Sequence, residues 1–129
     1  MKMVYPENLR FLDSHEYVKV DGDIATIGIS AFAVDQLGDI VFVEVPETGA
    51  TVTKGETFGT VESVKAVEDL YSPVSGTVVE RNDAVIDSPE QLTEDPYESG
   101  WLMKVQLNNP SEAEDALSAS EYRSRVEGS

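Results

Sequence analysis

The stretch VESVKAVEDLYSPVSG, residues 61–76, admits two readings, and the fold turns on the choice. Val61, Val64, Val67, Leu70 and Tyr71 recur at roughly helical spacing. A helix would put Lys65 on a solvent face beside Glu68 and Asp69, where each ion pair contributes about 0.2–0.5 kcal/mol. Three features oppose the helix. The segment is rich in valine, a middling helix former. Gly59 and Thr60 precede it in an extended TFGTV, and Pro73 and Gly76 follow closely. A β-hairpin with Lys65 at its tip fits these flanks better.

The pieces around this stretch share its β character. YVKVDGDIATIGI (17–29) places Asp21-Gly22 between β-formers, a strong short-range hairpin signal. SAFAVDQLGD (30–39) reads as a short helix capped by Ser30 and ended by Gly38 in a left-handed conformation. IVFVEV (40–45) reads as a strand, and its near-continuous apolarity predicts burial on both faces. After Pro46, β-rich pieces alternate with turn residues as far as AVIDSPEQL (84–92), and WLMKVQL (101–107) is expected to be the final strand. Gly49, Gly55 and Gly76 are expected in turns. ATVTKGE (50–56) lies over AVIDSPE (84–90) at an offset of 34 residues. Chance and two similar β-halves both explain that overlap.

The expected organisation is one domain over 1–129: an irregular arm at 1–16, a β core at 17–107 and a C-terminal helix at 111–126. In that helix Ser111 would cap the first turn and Ala113, Ala116, Leu117, Tyr122 and Val126 would face inward. The expected class is mostly β, a sandwich or barrel, with a short internal helix.

Composition excludes several functions. The formal charge is −16, which argues against binding a nucleic-acid backbone and favours docking on basic surfaces. No apolar run approaches the roughly 20 residues that span a bilayer. The N-terminus has neither signal-peptide nor transit-peptide character, so a cytoplasmic protein is expected. There is no cysteine, so thiol chemistry would have to arrive on a cofactor. The single histidine, His15, cannot supply a clustered metal-ligand set, and a structural or solvent role is expected for it. No GxGxxG or P-loop pattern is present.

The chain has five lysines, and Lys65 stands among Glu62, Glu68 and Asp69. A lysine at a tight β-turn is a good acyl acceptor, because both strands hold it still and keep it away from the core. Acylation removes its charge. The acidic neighbours then make more sense as recognition features for a modifying enzyme, or as charges that meet the modified arm's cargo, than as neutralising partners, since exposed pairs contribute little.

These residues carry a resemblance. GDIVFVEVPETG (38–49), GTVESVKAVEDLYSPVSGTVVERN (59–82) and DPYESGWLMKV (95–105) resemble the H-protein family of the glycine cleavage system, and SHEYV (14–18) fits its His-Glu-Trp. The resemblance runs from about Phe11 to Leu107. It implies a lipoyl-domain-like barrel-sandwich hybrid of two antiparallel sheets, and lipoic acid in amide linkage to Lys65. It implies a non-catalytic carrier. That carrier takes an aminomethyl group from the P protein (glycine decarboxylase) to the T protein (aminomethyltransferase), with reoxidation by the L protein (dihydrolipoamide dehydrogenase). The lipoyl group would supply both sulfurs. Glu16, Ser14 and Asp69 match positions near the cleft that stores the arm. Glu62, Ser63, Val64 and Ala66 would be read by lipoyl-attaching enzymes.

Two departures fall at Tyr17, where the family has Trp, and at ISAFAVDQ (29–36). A biotinyl carrier domain is an alternative, but that family prefers Met on both sides of its lysine, where Val64 and Ala66 stand here. A relay protein that donates lipoyl groups to other apo-carriers is a further alternative.

Overall fold

The computed structural model describes residues 5–127. Two antiparallel sheets face each other. The larger has seven strands in the order β10-β1-β2-β3-β9-β8-β5: β1 Arg10–Phe11, β2 Glu16–Asp21, β3 Ile24–Ile29, β5 Thr51–Val52, β8 Gly76–Arg81, β9 Met103–Leu107 and β10 Leu117–Ser118. The smaller has three in the order β4-β6-β7: β4 Ile40–Glu44, β6 Thr57–Ser63 and β7 Val67–Tyr71. Val18, Ile27, Val78 and Val105 from the large sheet meet Val43, Val61 and Leu70 from the small one in one apolar core. No helix of the described residues is long and apolar enough to cross a membrane.

The local signals worked where the chemistry was local. β2 and β3 form the expected hairpin, with Asp21 paired to Ile24. Its loop is Gly22-Asp23, one residue later than Asp21-Gly22, and Gly22 takes φ 67°. Ser30 Oγ accepts from the Ala33 amide and caps α1, Ala31–Leu37. Gly38 ends that helix at φ 80°, ψ −135°, a positive-φ region but not the left-handed helical basin that was expected.

Other expectations are corrected. IVFVEV is not buried on both faces: a register shift between Ile40 and Phe42 leaves Val41 and Phe42 exposed. AVIDSPEQL is not β. It forms two short helices, α2 Asp83–Asp87 and α3 Glu90–Glu94, whose Val85 and Leu92 enter the core. The offset-34 overlap therefore sets β5 against α2 and marks no structural repeat. Gly76 lies in β8 without positive φ; a Cβ there would overlap the Gln106 carbonyl oxygen.

The termini also differ. The arm is irregular over most of its described residues, but Arg10–Phe11 form β1, which pairs with both β2 and β10. The C-terminal helix does not begin at Ser111. Asn109 caps a 3-10 turn over Pro110–Asp115, β10 follows, and α4 spans Ala119–Glu127. WLMKVQL is thus not the final strand. Tyr5, Leu9, Phe11, Tyr17, Ala119 and Tyr122 form a second, largely aromatic core. Phe11 and Tyr122 stack in it at 4.5 Å between ring centroids.

Candidate functional site

β6 and β7 form the hairpin that 61–76 predicted, with Glu62 opposite Val67 as the last pair before the tip. Ser63 shapes the tip. Its amide donates to the Ala66 carbonyl, and its Oγ accepts from the Lys65 and Ala66 amides at 3.1 Å each. The Val64 amide donates to the Asp39 carbonyl at 3.1 Å, which ties the tip to the turn after α1. The Lys65 backbone is therefore fixed while its side chain is exposed. Among the described residues its ammonium has no hydrogen-bond or ion-pair partner. Lys54 and Lys104, by contrast, pair with Asp115 and Glu80 at 2.8 and 3.9 Å. The Lys65 stem passes Gly38, where a Cβ would come within 3.6 Å of Cε.

Beside the hairpin lies a cleft of about 280 Å³. Its apolar lining comes from Ile29, from Phe32, Ala33 and Leu37 on α1, and from Val61 and Leu70. Ser14, His15, Gln36, Glu68 and Asp69 supply the polar part. Leu37 adjoins Gly38, so the Lys65 stem runs beside the same end of α1 that lines the cleft.

Of the residues singled out from the sequence, Ser14 and Asp69 line this cleft and Glu16 does not. Glu16 is 1% exposed and sits behind it. Its carboxylate accepts from Ser14 Oγ and, at 2.8 Å, from the Tyr71 amide. Burial pushes its pKa up, opposed by those two hydrogen bonds. Glu62, Val64 and Ala66 surround the tip, while Ser63 is buried and spent within the turn.

His15 lines the cleft with φ 86°, a costly conformation for a residue with a Cβ. It is held there because its amide donates to the Leu12 carbonyl and its carbonyl accepts from Ser30. Its Nδ1 lies 2.7 Å from the Tyr122 hydroxyl, which is 2.6 Å from Ser30 Oγ. Burial lowers its pKa, against the pull of Asp13 and Glu68. Sequence reasoning named Glu68 only among the acidic neighbours of Lys65, and it missed the α1 wall. The helix itself was legible, but nothing local says which of its faces looks across at β6 and β7.

The arrangement joins an immobilised backbone, a free amine and a half-apolar cleft within reach of a flexible group. It offers no metal site: among the described residues no three metal-ligating side chains cluster. Comparison with known proteins agrees in one direction. The family described as glycine cleavage H-protein matches residues 9–129. A glycine cleavage system H protein of a Cyanothece species is 67% identical over 129 residues, covering 100% of both chains. One from Nostoc punctiforme is 64% identical over 128 residues, with 99% of each chain covered. The crystal structure of a glycine cleavage system H protein from Mycobacterium marinum superposes with a TM-score of 0.87 at 41% identity. That match covers 94% of this chain and 98% of the other. Similarity of this extent in sequence and in fold leads to one conclusion: the chain belongs to the glycine cleavage H-protein family.

Proposed function

We propose that Lys65 bears the lipoyl group and that the adjacent cleft shelters the arm between visits to partner enzymes. The chain is a lipoyl carrier of the glycine cleavage system, moving the aminomethyl group of glycine. When attached, the lipoyl dithiolane supplies the thiol–disulfide chemistry that a chain without cysteine lacks. The observation that carries the assignment to Lys65 is its position: an exposed, unpartnered amine on a hydrogen-bonded tip next to the cleft.

The cleft fits such a group. Phe32, Leu37 and Leu70 match a hydrocarbon chain and a dithiolane, and they exclude water. Asp69 and Glu68 suit a cationic amine, whose desolvation is costly without a carboxylate partner. Glu16 acts from behind, holding Ser14 at the cleft wall and the Tyr71 amide at the end of β7. Ser63 sets the shape of the turn that an attaching enzyme reads, and Glu62, Val64 and Ala66 give it a surface.

In this reading the chain is a non-catalytic subunit. It meets the P protein for loading, the T protein for transfer and the L protein for reoxidation. Tethering raises the effective concentration of the arm at each docked enzyme. Lys65→Arg keeps the charge and removes the acylable amine. It should leave the melting curve unchanged, abolish the mass increase on incubation with a lipoate-attaching enzyme, and abolish glycine-cleavage support. Peptide mass spectrometry that maps the modification to Lys54 or Lys104 would overturn the assignment.

A further inference from the structure

Five of the seven large apolar side chains exposed among the described residues belong to the three-stranded sheet and its hairpin tip: Val41, Phe42, Val64, Val67 and Tyr71. Val64 and Val67 stand on either side of Lys65 at the tip. Phe42, Glu62 and Val67 are register partners across β4, β6 and β7, so they share one face of the sheet. Phe42 is 49% exposed and Val67 61%. The shift between Ile40 and Phe42 leaves Val41 exposed beside them, at 52%. Val64, 68% exposed, is brought against this edge by the bond from its amide to Asp39. Scattered exposed hydrophobes need no explanation, but a cluster on one sheet face that reaches a reactive group does.

The core does not use these side chains, and neither does the cleft, whose lining includes none of them. Acidic residues run through and beside the patch. Glu62 lies between Phe42 and Val67, Asp39 and Glu44 flank them, and Lys65 is the one basic residue of the small sheet and its tip.

We infer that this outward face of the small sheet is the docking surface for the enzyme that acylates Lys65, a protein with an apolar socket bordered by Lys and Arg. The inference rests on Lys65 being the attachment site. Two observations select this occupant. First, the patch reaches the hairpin tip, because Val64 is the residue before Lys65 and Val67 the second one after it. An enzyme that reacts with the far end of a long arm can stay clear of the hairpin. One that forms the amide must bring an activated lipoyl carbonyl to the lysine and so must cover its surroundings. In that step deprotonated Nζ attacks the carbonyl of an acyl adenylate or acyl thioester. The amide bond forms as the bond to the activating group breaks, and that group leaves with the electron pair. Second, Glu62 between Phe42 and Val67, with Asp39 and Glu44 beside them, sets the sign of the partner's charge, while the apolar side chains supply the contact that carries most interface energy.

The test uses the full-length apo-protein, a purified lipoate-attaching enzyme, lipoate and ATP, with product read by intact mass. The paired substitution Phe42→Ser with Val67→Ser should raise KM for the apo-protein about tenfold and leave kcat within about twofold, the pattern of lost docking. Val20→Ser with Val79→Ser, exposed positions on the large sheet, should leave KM unchanged. Equal melting curves exclude misfolding, since all four positions are solvent-facing. A wild type that is not modified at Lys65 would sink the attachment assignment itself. A wild type modified there together with an unchanged KM in the Phe42/Val67 variant would overturn the docking surface alone. The same fate follows if KM for reoxidation of the lipoylated variant by dihydrolipoamide dehydrogenase rises as much as KM for lipoylation.

Discussion

Glu16 is buried to 1% exposure, yet it takes part in two hydrogen bonds and so is a satisfied group. Burial raises its pKa above the ordinary 4.5, so the native state holds the proton more tightly than the unfolded chain does. Its stabilising contribution is therefore complete below about pH 4.5 and is lost as pH rises through the folded value. Glu16→Gln removes that loss. Its amide oxygen can still accept from Tyr71 and its amide nitrogen can donate to Ser14 Oγ. The variant's melting temperature relative to wild type should rise between about pH 4 and about pH 8. A falling difference in thermal melts would show that the site prefers the charged form, and a constant one that folding leaves the proton affinity of Glu16 unchanged. Single residues were unevenly legible in the sequence. The place of Lys65 at a hairpin tip could be read because its turn is built from neighbours, with Ser63 binding amides two and three residues away. The seat of Glu16 could not, because the Tyr71 amide that it binds is 55 residues distant.

Elements followed the same division. The β2–β3 and β6–β7 hairpins and the Ser30-capped α1 depend on adjacent residues and were readable. AVIDSPEQL was misread because two short helices and short strands share a spacing of apolar residues. Val85 and Leu92 point into the core from α2 and α3 just as strand residues would. β10 has only two residues and pairs with β1 more than a hundred positions earlier, which no local pattern could signal. Gly76 shows how a right residue can be singled out for a wrong reason. Its role is close approach and not φ > 0: a Cβ would strike the Gln106 carbonyl of β9 and the Val105 side chain. The strain is thus set by the neighbouring strand, and alanine should suffer as well as valine. Gly76→Ala is expected to cost about 1–3 kcal/mol, the range for overpacking a close-packed interior. A urea midpoint that did not move would mean that β8 and β9 separate easily there. The edge of the large sheet would then be looser than its pairing suggests.

At the scale of the whole molecule, charge is the dominant fact. The chain carries −16, and the described residues form four ion pairs, Lys54–Asp115, Arg81–Asp83, Lys104–Glu80 and Arg125–Asp13. At least one partner in each pair is well exposed, so the pairs contribute little. Compaction brings like charges together, and that repulsion opposes folding. Salt weakens both effects, with a Debye length of about 10 Å at 0.1 M and about 3 Å at 1 M. Because repulsion outweighs the pairs, the melting temperature should rise by several degrees between about 0.01 M and about 0.5 M sodium chloride. The same salt should slow association with a basic partner enzyme, because steering by long-range charge is screened. The two responses therefore have opposite signs in one titration: a more stable carrier that docks more slowly. Differential scanning calorimetry gives the first, and stopped-flow association with a lipoate-attaching enzyme gives the second. A melting temperature that falls with salt would mean that the exposed pairs outweigh the net repulsion. An association rate indifferent to salt would mean that docking rests on the apolar side chains of the small sheet alone, with no help from the acidic residues among them.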